Sequence, residues 1–352
     1  MNNKTSPRID RDGAADLLKG LAVVFMIQVH LMEQFASPDA YESTIGTISM
    51  FLGGPACAPV FLAVMGYFLA SSSRPLSYFI KRGMILFFGG IFLNIARASN
   101  LLLHIFRNDI NLDPWVFIMG VDILTLAGLS LILTGLLRQV FKTKVVLYFL
   151  MAVLMVSLTR FLPQTGSDSS FITYVIAFLW GTSGWAYFPL FPWFAYVLAG
   201  YAFHLVTKQF PQVNKTDFNR SYIYFAPLWA GIIITMPWAA GITYNLSGYG
   251  GYYHHGILFF VWVILFMISY FVLIKLLDKF YGGSAIAGWI KWMGRQVTVL
   301  YVIQWLIIGN LAPLFYRTQN VFQLILWFFI VTLVTNLIGI IFIKLRAAYA
   351  RK

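Results

Sequence analysis

Long apolar runs separated by short polar connections make up most of this chain. A helix that crosses a bilayer needs about 20 mostly apolar residues, and ten runs approach or reach that length. They predict an all-α fold, a polytopic membrane helix bundle of about ten transmembrane helices, in one integral-membrane domain that covers residues 1–352. A shorter run, Phe171–Trp180, is predicted to be re-entrant or interfacial. The spans are predicted at Ala15–Glu33, Thr47–Ser71, Gly83–Arg97, Trp115–Leu137, Val145–Phe161, Pro189–Thr207, Tyr222–Thr243, Gly256–Leu277, Trp289–Leu311 and Val321–Leu345.

The composition indicates that lipid surrounds these runs. Hydrophobic residues make up 60% of the chain and charged residues 11%, whereas soluble proteins carry roughly 25% charged residues. This composition excludes a disordered protein, and the single cysteine, Cys57, excludes an intrachain disulfide. The net charge of +13 comes from basic residues that lie mainly in the short connections. That placement is typical of membrane topology, so we expect no nucleic-acid partner.

The positions of Lys and Arg predict the orientation. Of the 25 basic residues, Arg97, Arg107, Arg160 and Arg317 fall on one side of the predicted spans, and the other 21 fall on the opposite side or just inside it. Basic residues accumulate on the cytoplasmic side of membrane proteins. We therefore expect cytoplasmic termini (residues 1–14 and 346–352) in a multi-pass protein of a bacterial inner (plasma) membrane, in contact with membrane lipid.

One face of the first span carries four ionisable residues, Asp12, Asp16, Lys19 and His30. His30 lies about 16 Å along the helix from Lys19. An ionisable residue within a bilayer costs several kcal/mol, so it is a candidate functional residue. A cation at the cytoplasmic end and an acid–base group deep in the membrane would suit acyl-CoA, which is long and anionic at one end. The alternative is an interfacial Asp16–Lys19 ion pair and a structural His30.

A second ionisable residue, Asp122, lies near the outer end of the fourth predicted span. A buried carboxylate needs a partner, and Arg97 and Arg107 are the two candidates. An interhelical ion pair is one interpretation of Asp122. The other is a catalytic role, in which Asp122 orients His30 or binds the acceptor.

Lys81 and Arg82, at the mouth of the third predicted span, are candidates for binding the phosphates of CoA. Arg295 lies about two turns into the ninth predicted span and is a candidate for binding an anion. Lysine would bind phosphate as a point charge and arginine as a two-pronged fork.

Two features of the predicted outer side have alternative interpretations. Pro55 and Pro59 interrupt the second span, so Gly53–Pro59 forms either a wall of a reaction chamber or a kink for packing. The aromatic residues Trp185 and Trp193 form either an interfacial belt or a surface that stacks on a sugar. The segment GYGGYYHH is predicted to be a flexible lip, and a solvated loop is favoured over a metal site at its end, His254 and His255.

Five motifs also resemble those of integral-membrane acyltransferases. DLLKGLAVVFMIQVH resembles the start of the heparan-α-glucosaminide N-acetyltransferase family and its bacterial relatives, and a basic residue ten residues before a histidine also resembles the acyltransferase-3 family. Lys19 stands where arginine is usual. The motifs APVFLAVMGYFLASS, YFIKRGMILF, FPLFPWFAYVLAGYA and GRQVTVLYVIQW are similar to later family motifs and occur in the family's order.

The resemblance implies a transmembrane O- or N-acyltransferase. Its donor would be acetyl-CoA or another acyl-CoA, its acceptor a sugar or amino sugar on the extracytoplasmic side, and it would need no metal. His30 would be the general base, acting directly or through an acyl-histidine intermediate. With it we predict Asp122 as a catalytic residue, donor-binding residues Lys19, Lys81, Arg82 and Arg295, and acceptor-binding residues Asp16, Trp185 and Trp193.

Two other function classes fit ten spans with buried ionisable residues. One is a transporter or flippase of an anionic solute or lipid-linked glycan, and the other is a sensor without chemistry. The sequence shows no internal repeats, which many transporter folds contain, and a sensor has no need of a charged stripe in lipid. The acceptor, the acyl chain length and the oligomeric state, including a homodimer, stay open.

Overall fold

The computed structural model describes residues 13–163, 170–210, 218–246 and 250–350, with the backbone alone for residues 218–224. Asp12 of the predicted stripe lies outside the described residues. Within these ranges the chain forms α-helices, numbered here in chain order. They are α1 Gly13–Phe35, α2 Pro38–Glu42, α3 Thr44–Gly53, α4 Ala58–Ser71, α5 Leu76–Arg97, α6 Ser99–Phe106, α7 Pro114–Ile118, α8 Ile123–Phe141, α9 Val145–Leu158, α10 Phe171–Ala177, α11 Leu190–Gln209, α12 Phe218–Tyr244, α13 Ile257–Tyr281, α14 Ala285–Arg295, α15 Val297–Phe315 and α16 Val321–Tyr349.

The described ranges contain nine helical segments that are long and apolar enough to cross a membrane. They correspond to α1, α3 with α4, α5, α8, α11, α12, α13, α15 and α16. A tenth apolar segment, Val145–Phe161, covers α9 and a 3-10 turn and is shorter. No β-strand occurs in the part of the chain that the structure describes. The predicted all-α polytopic membrane bundle is thus confirmed.

Two predicted spans begin at the wrong residue. α5 begins at Leu76, before the predicted start of the third span, and α8 begins at Ile123, after the predicted start of the fourth. The later start has a local cause, because the Asp122 carboxylate accepts a hydrogen bond from the Ile123 amide (2.6 Å) and caps α8. Trp115, predicted to begin the fourth span, belongs to the short helix α7.

The predicted ninth span, Trp289–Leu311, is divided between two helices. α14 ends at Arg295, and α15 continues after a turn. α14 crosses α1 so closely that a Cβ atom on Gly20 would lie 1.9 Å from a backbone oxygen of α14. A Cβ atom on Gly294 would lie 2.0 Å from a backbone oxygen of α1. This crossing holds α14 against the first turns of α1 and separates it from α15.

α1 packs against helices from both halves of the chain, including α3, α14, α15 and α16. One hydrophobic core surrounds α11, which packs on α4 and α9, and a second surrounds α1 and α15. The two surfaces of the bundle are named here after the ends of α1, as the Gly13 side and the Phe35 side. α5 and α15 end on the Phe35 side, and α3, α8, α11 and α16 begin there.

Candidate active site

A cavity of about 810 Å³, called the chamber below, occupies the half of the bundle nearer the Phe35 side. On α1 its lining runs from Ala22 to Gln34, and on α15 it runs from Val297 to Pro313. The break between α3 and α4 supplies part of the cavity wall, as the first alternative for Gly53–Pro59 predicts, and the role of the cavity as a reaction chamber stays a prediction. The lining residues of that segment are Gly53, Gly54, Cys57 and Ala58.

His30 lines the chamber from a position five residues before the end of α1. Its Nδ1 lies 3.2 Å from Nε2 of Gln304, which is fully buried on α15. The Trp305 ring packs on the imidazole, with 4.0 Å between ring centroids and an interplanar angle of 33°. α15 therefore holds the imidazole on two sides. Gln304 and Trp305 were missed as site residues in the sequence, because an apolar helix pattern shows no link between α15 and α1.

Asp122 is the centre of a buried polar group in the chamber wall. Its Oδ2 lies 2.9 Å from Nη1 of Arg97, and the hydroxyl of Tyr301 donates a hydrogen bond to Oδ1 (2.5 Å). Arg97, one of the two predicted partners, is thus confirmed, whereas Arg107 is exposed at the end of α6. The guanidinium of Arg97 also lies 4.3 Å from the centroid of the Trp305 ring. Asp122 therefore connects to the tryptophan that packs on His30.

Glu33 is a chamber residue that sequence reasoning did not single out. It lies three residues after His30 on α1 and accepts a hydrogen bond at Oε1 from the hydroxyl of Tyr253 (3.1 Å). The sequence places Glu33 at the outer end of a span, where a solvated carboxylate is ordinary. The signal that could have found it is its spacing from His30, because residues three apart are neighbours on one helix face.

Residues 250–255, the described part of the predicted lip, are folded into the bundle, so the prediction of a flexible lip with solvated histidines is wrong there; residues 248 and 249 of the lip lie outside the described residues. Trp193 Nε1 donates to the backbone oxygen of Tyr253 (2.9 Å), and His255 lies between the Tyr196 hydroxyl (2.9 Å) and the backbone oxygen of Tyr252 (2.8 Å). His254 and His255 are 3% and 0% exposed, and burial lowers the pKa of each to about 4. The cause is the aromatic content of the segment, which favours burial over solvation.

The charged residues at the start of α1 form a separate cluster on the Gly13 side. Asp16, which is buried, lies 2.8 Å from Lys19 Nζ and 3.2 Å from Arg295 Nε. None of these three residues lines the chamber, whose lining on α1 begins at Ala22, one turn beyond Lys19. The predicted stripe is thus divided: its first turns form ion pairs, and His30 faces the chamber. Arg295 ends α14 and does not lie inside a span.

The remaining predicted site residues lie away from the chamber. Lys81 and Arg82 are exposed in the first turns of α5 on the Gly13 side. Trp193 is fully buried in the core around α11, and Trp185 is buried against Tyr174. Neither tryptophan lines the chamber, because each ring is directed into helix packing. Between them in the chain, Tyr187 does line it.

Comparison with known proteins gives one match. Residues 11–231 match the sequence model of the family described as heparan-alpha-glucosaminide N-acetyltransferase, catalytic. The matched region contains His30, Glu33, Arg97 and Asp122, and ends before α15. No curated protein matches the chain, and no solved structure matches it.

Proposed function

Because the chain belongs to the heparan-alpha-glucosaminide N-acetyltransferase family of membrane acetyltransferases, we propose that it transfers an acetyl group from cytoplasmic acetyl-CoA to a sugar or amino sugar at the opposite membrane face. The observation that carries this proposal is the position of His30 in the chamber wall, where Gln304 and Trp305 hold its imidazole. A neutral imidazole held in this way is suited to take the proton of an acceptor hydroxyl or amine.

The reaction needs two proton transfers, one from the acceptor to His30 and one from His30 to the sulfur of CoA. His30 takes a proton from the acceptor while the acceptor oxygen or nitrogen forms a bond to the thioester carbonyl carbon. The carbon–sulfur bond then breaks, and the CoA sulfur takes the proton from the imidazolium as it leaves. General-base catalysis of this kind contributes roughly 10²–10⁴-fold in rate.

Arg97 supplies the positive charge for this step. It is the one Lys or Arg among the described residues that line the chamber, and Asp122 and the Trp305 ring hold it in place. A fixed positive charge in a water-poor site stabilises the oxygen of the tetrahedral intermediate. Asp122 is in this proposal a positioning residue, since it acts through Arg97.

The donor binds from the Gly13 side, which the positive-inside rule assigns to the cytoplasm. Lys19 and Arg295 share one carboxylate, Asp16, so this cluster has an excess positive charge. Lys81 and Arg82 add exposed positive charge on the same side. CoA phosphates would bind these cations, and the pantetheine arm would extend past the one turn of α1 that separates Lys19 from the chamber.

The test is acetyl transfer by the purified protein in liposomes. Labelled acetyl-CoA is enclosed on the Gly13 side, and glucosamine and methyl glucoside are added outside. We expect labelled acceptor from the wild type and a loss of at least about 100-fold in kcat for His30→Gln, with acetyl-CoA binding unchanged. His104→Gln is the control, because His104 is paired with Asp109 at the Phe35-side surface. Near-normal turnover by His30→Gln would show that His30 is structural.

A further inference from the structure

Glu33 differs from the other chamber carboxylate in how it is paired. Asp122 is bound by Arg97, by the Tyr301 hydroxyl and by a backbone amide. Glu33 has one hydrogen bond within the described part of the chain, from the Tyr253 hydroxyl to Oε1. Its Oε2 has no partner there. A carboxylate that lines a cavity with a vacant oxygen is available to a ligand.

The charges of the chamber point to the kind of ligand. Among the described lining residues, the charged side chains are Arg97, Asp122 and Glu33. Arg97 and Asp122 form an ion pair with no net charge, although the guanidinium of the pair still acts locally on an oxygen beside it. The charge of Glu33 is therefore uncompensated, and an uncompensated carboxylate in a low-dielectric site favours a cation.

An amine acceptor is a cation that must lose two protons. A hydroxyl acceptor arrives neutral and gives up one proton, which the thiol leaving group takes, so no proton is released. A protonated amine gives up a first proton to become a nucleophile and a second when its nitrogen forms the amide bond. One of these two protons leaves as the thiol hydrogen of CoA. A second group of the protein must accept the other proton and release it from the site.

Resting on the proposed function, we infer that Glu33 binds the ammonium of an amine acceptor and accepts its first proton. The neutral nitrogen then attacks the thioester carbon, His30 takes the second proton, the carbon–sulfur bond breaks and the sulfur takes that proton from His30. Glu33 passes its proton to water at the Phe35 side. The products are the N-acetylated acceptor, CoA thiol and one proton, which balances the reaction.

The spacing of His30 and Glu33 on α1 lets the two side chains take the two protons of one acceptor nitrogen. Residues three apart on a helix have Cβ atoms about 5–6 Å from each other, so His30 and Glu33 can both reach one nitrogen. The Tyr253 hydroxyl holds one oxygen of Glu33 and leaves the other directed at the ligand.

Several titratable groups lie close enough to Glu33 to interact with its charge. Arg97 and Asp122 act on it from the ends of α5 and α8, and Tyr41 faces it from α2. Tyr187, Cys57 and the segment Tyr252–His254 line the same cavity. Because these groups are common to every variant below, differences in pH profile between variants report on position 33.

The test compares kcat/KM against pH for glucosamine, an amine, and methyl glucoside, a hydroxyl acceptor. In the wild type we expect the glucosamine profile to stay level from the pKa of the substrate amine down to the pKa of the Glu33 carboxylate, and to fall below it, because Glu33 removes the first proton only while it is ionised. In Glu33→Gln only the neutral amine can react, so kcat/KM should fall about tenfold for each pH unit below that pKa and recover at high pH. Transfer to methyl glucoside should change less than threefold.

The control is Glu42→Gln, the same substitution at an exposed carboxylate at the end of α2 on the Phe35 side. It should leave both profiles unchanged. If Glu33→Gln does not fold, Glu33→Asp replaces it, since this variant keeps a carboxylate and should keep the level profile at a lower kcat/KM.

Four outcomes would overturn the role of Glu33 without touching the proposed function. Three of them are a Glu33→Gln profile that matches the wild type, an equal loss with both acceptors, and a wild type that acetylates hydroxyl acceptors alone. A falling profile in Glu33→Asp would also overturn it. A wild type that transfers acetyl to neither acceptor would instead refute the proposed function.

Discussion

At the scale of single residues, Gln304 is the contact through which the proposed base role of His30 can be tested. The Gln304 amide faces Nδ1 of His30, and within the described residues its Oε1 has no partner. The nitrogen and oxygen of a side-chain amide occupy interchangeable positions. With Oε1 turned toward Nδ1, the amide would accept the Nδ1 hydrogen and satisfy its own buried oxygen, and Nε2 would be the basic nitrogen in the proposed mechanism.

We therefore predict that Gln304→Leu lowers kcat by about tenfold or more, because the imidazole loses the group that fixes its tautomer. KM for acetyl-CoA should stay unchanged, since Gln304 lies far along the bundle from the basic cluster. Gln304→Glu keeps an acceptor oxygen and should retain more activity than Gln304→Leu. Steady-state kinetics with both substrates varied checks this, and full kcat in Gln304→Leu would contradict it.

The residue scale also shows what sequence patterns can and cannot reveal about the site. His30 was predictable because an ionisable residue in an apolar helix is visible in the sequence alone. The Arg97 partner of Asp122 was predictable because few arginines lie on that side. The environment of Glu33 was not predictable, because its hydrogen-bond partner Tyr253 is 220 residues away in the chain.

At the scale of helices, the crossing of α1 and α14 holds the basic cluster together. Gly20 and Gly294 let the two backbones meet, and the same crossing brings Arg295 within 3.2 Å of Asp16. The sequence pattern joined the second half of α14 to α15, because no proline separates them and the polar pair Arg295 and Gln296 is short. The close contact with α1 decides the break.

We predict that Gly20→Ala destabilises the protein by about 1–3 kcal/mol, because its Cβ would collide with a backbone oxygen of α14, which the helix holds in place. The matched control is Gly288→Ala on α14, where a Cβ atom meets nothing within 4 Å. That variant should be neutral or more stable, since alanine is the better helix former by about 1 kcal/mol. Thermal unfolding in detergent compares the two, and equal melting temperatures would contradict the close crossing.

At the scale of the whole molecule, the distribution of basic residues determines how the bundle lies in the membrane. Lys81 and Arg82 are exposed on the Gly13 side, and Arg107 is exposed on the Phe35 side. A chamber near the Phe35 side and cations on the Gly13 side suit a reaction whose substrates arrive from opposite faces.

Cysteine labelling tests this orientation. In a Cys57→Ser background, we expect Arg107→Cys to react with a membrane-impermeant maleimide on intact cells. Lys81→Cys should react only after the membrane is permeabilised, because the positive-inside rule places it in the cytoplasm. The reverse labelling pattern would show that the Gly13 side faces outward and that the donor must bind elsewhere.

The sequence by itself determined the membrane environment, the helical bundle and the candidacy of His30, because each depends on the hydrophobicity and charge of residues close together in the chain. Only the tertiary structure decided which side chains contact the candidate residues: Gln304 contacts His30, Tyr301 contacts Asp122 and Tyr253 contacts Glu33. It also decided that His254 and His255 are buried. The physical reason is that helical periodicity shows which face of a helix is polar, whereas the partner of that face depends on how distant helices pack.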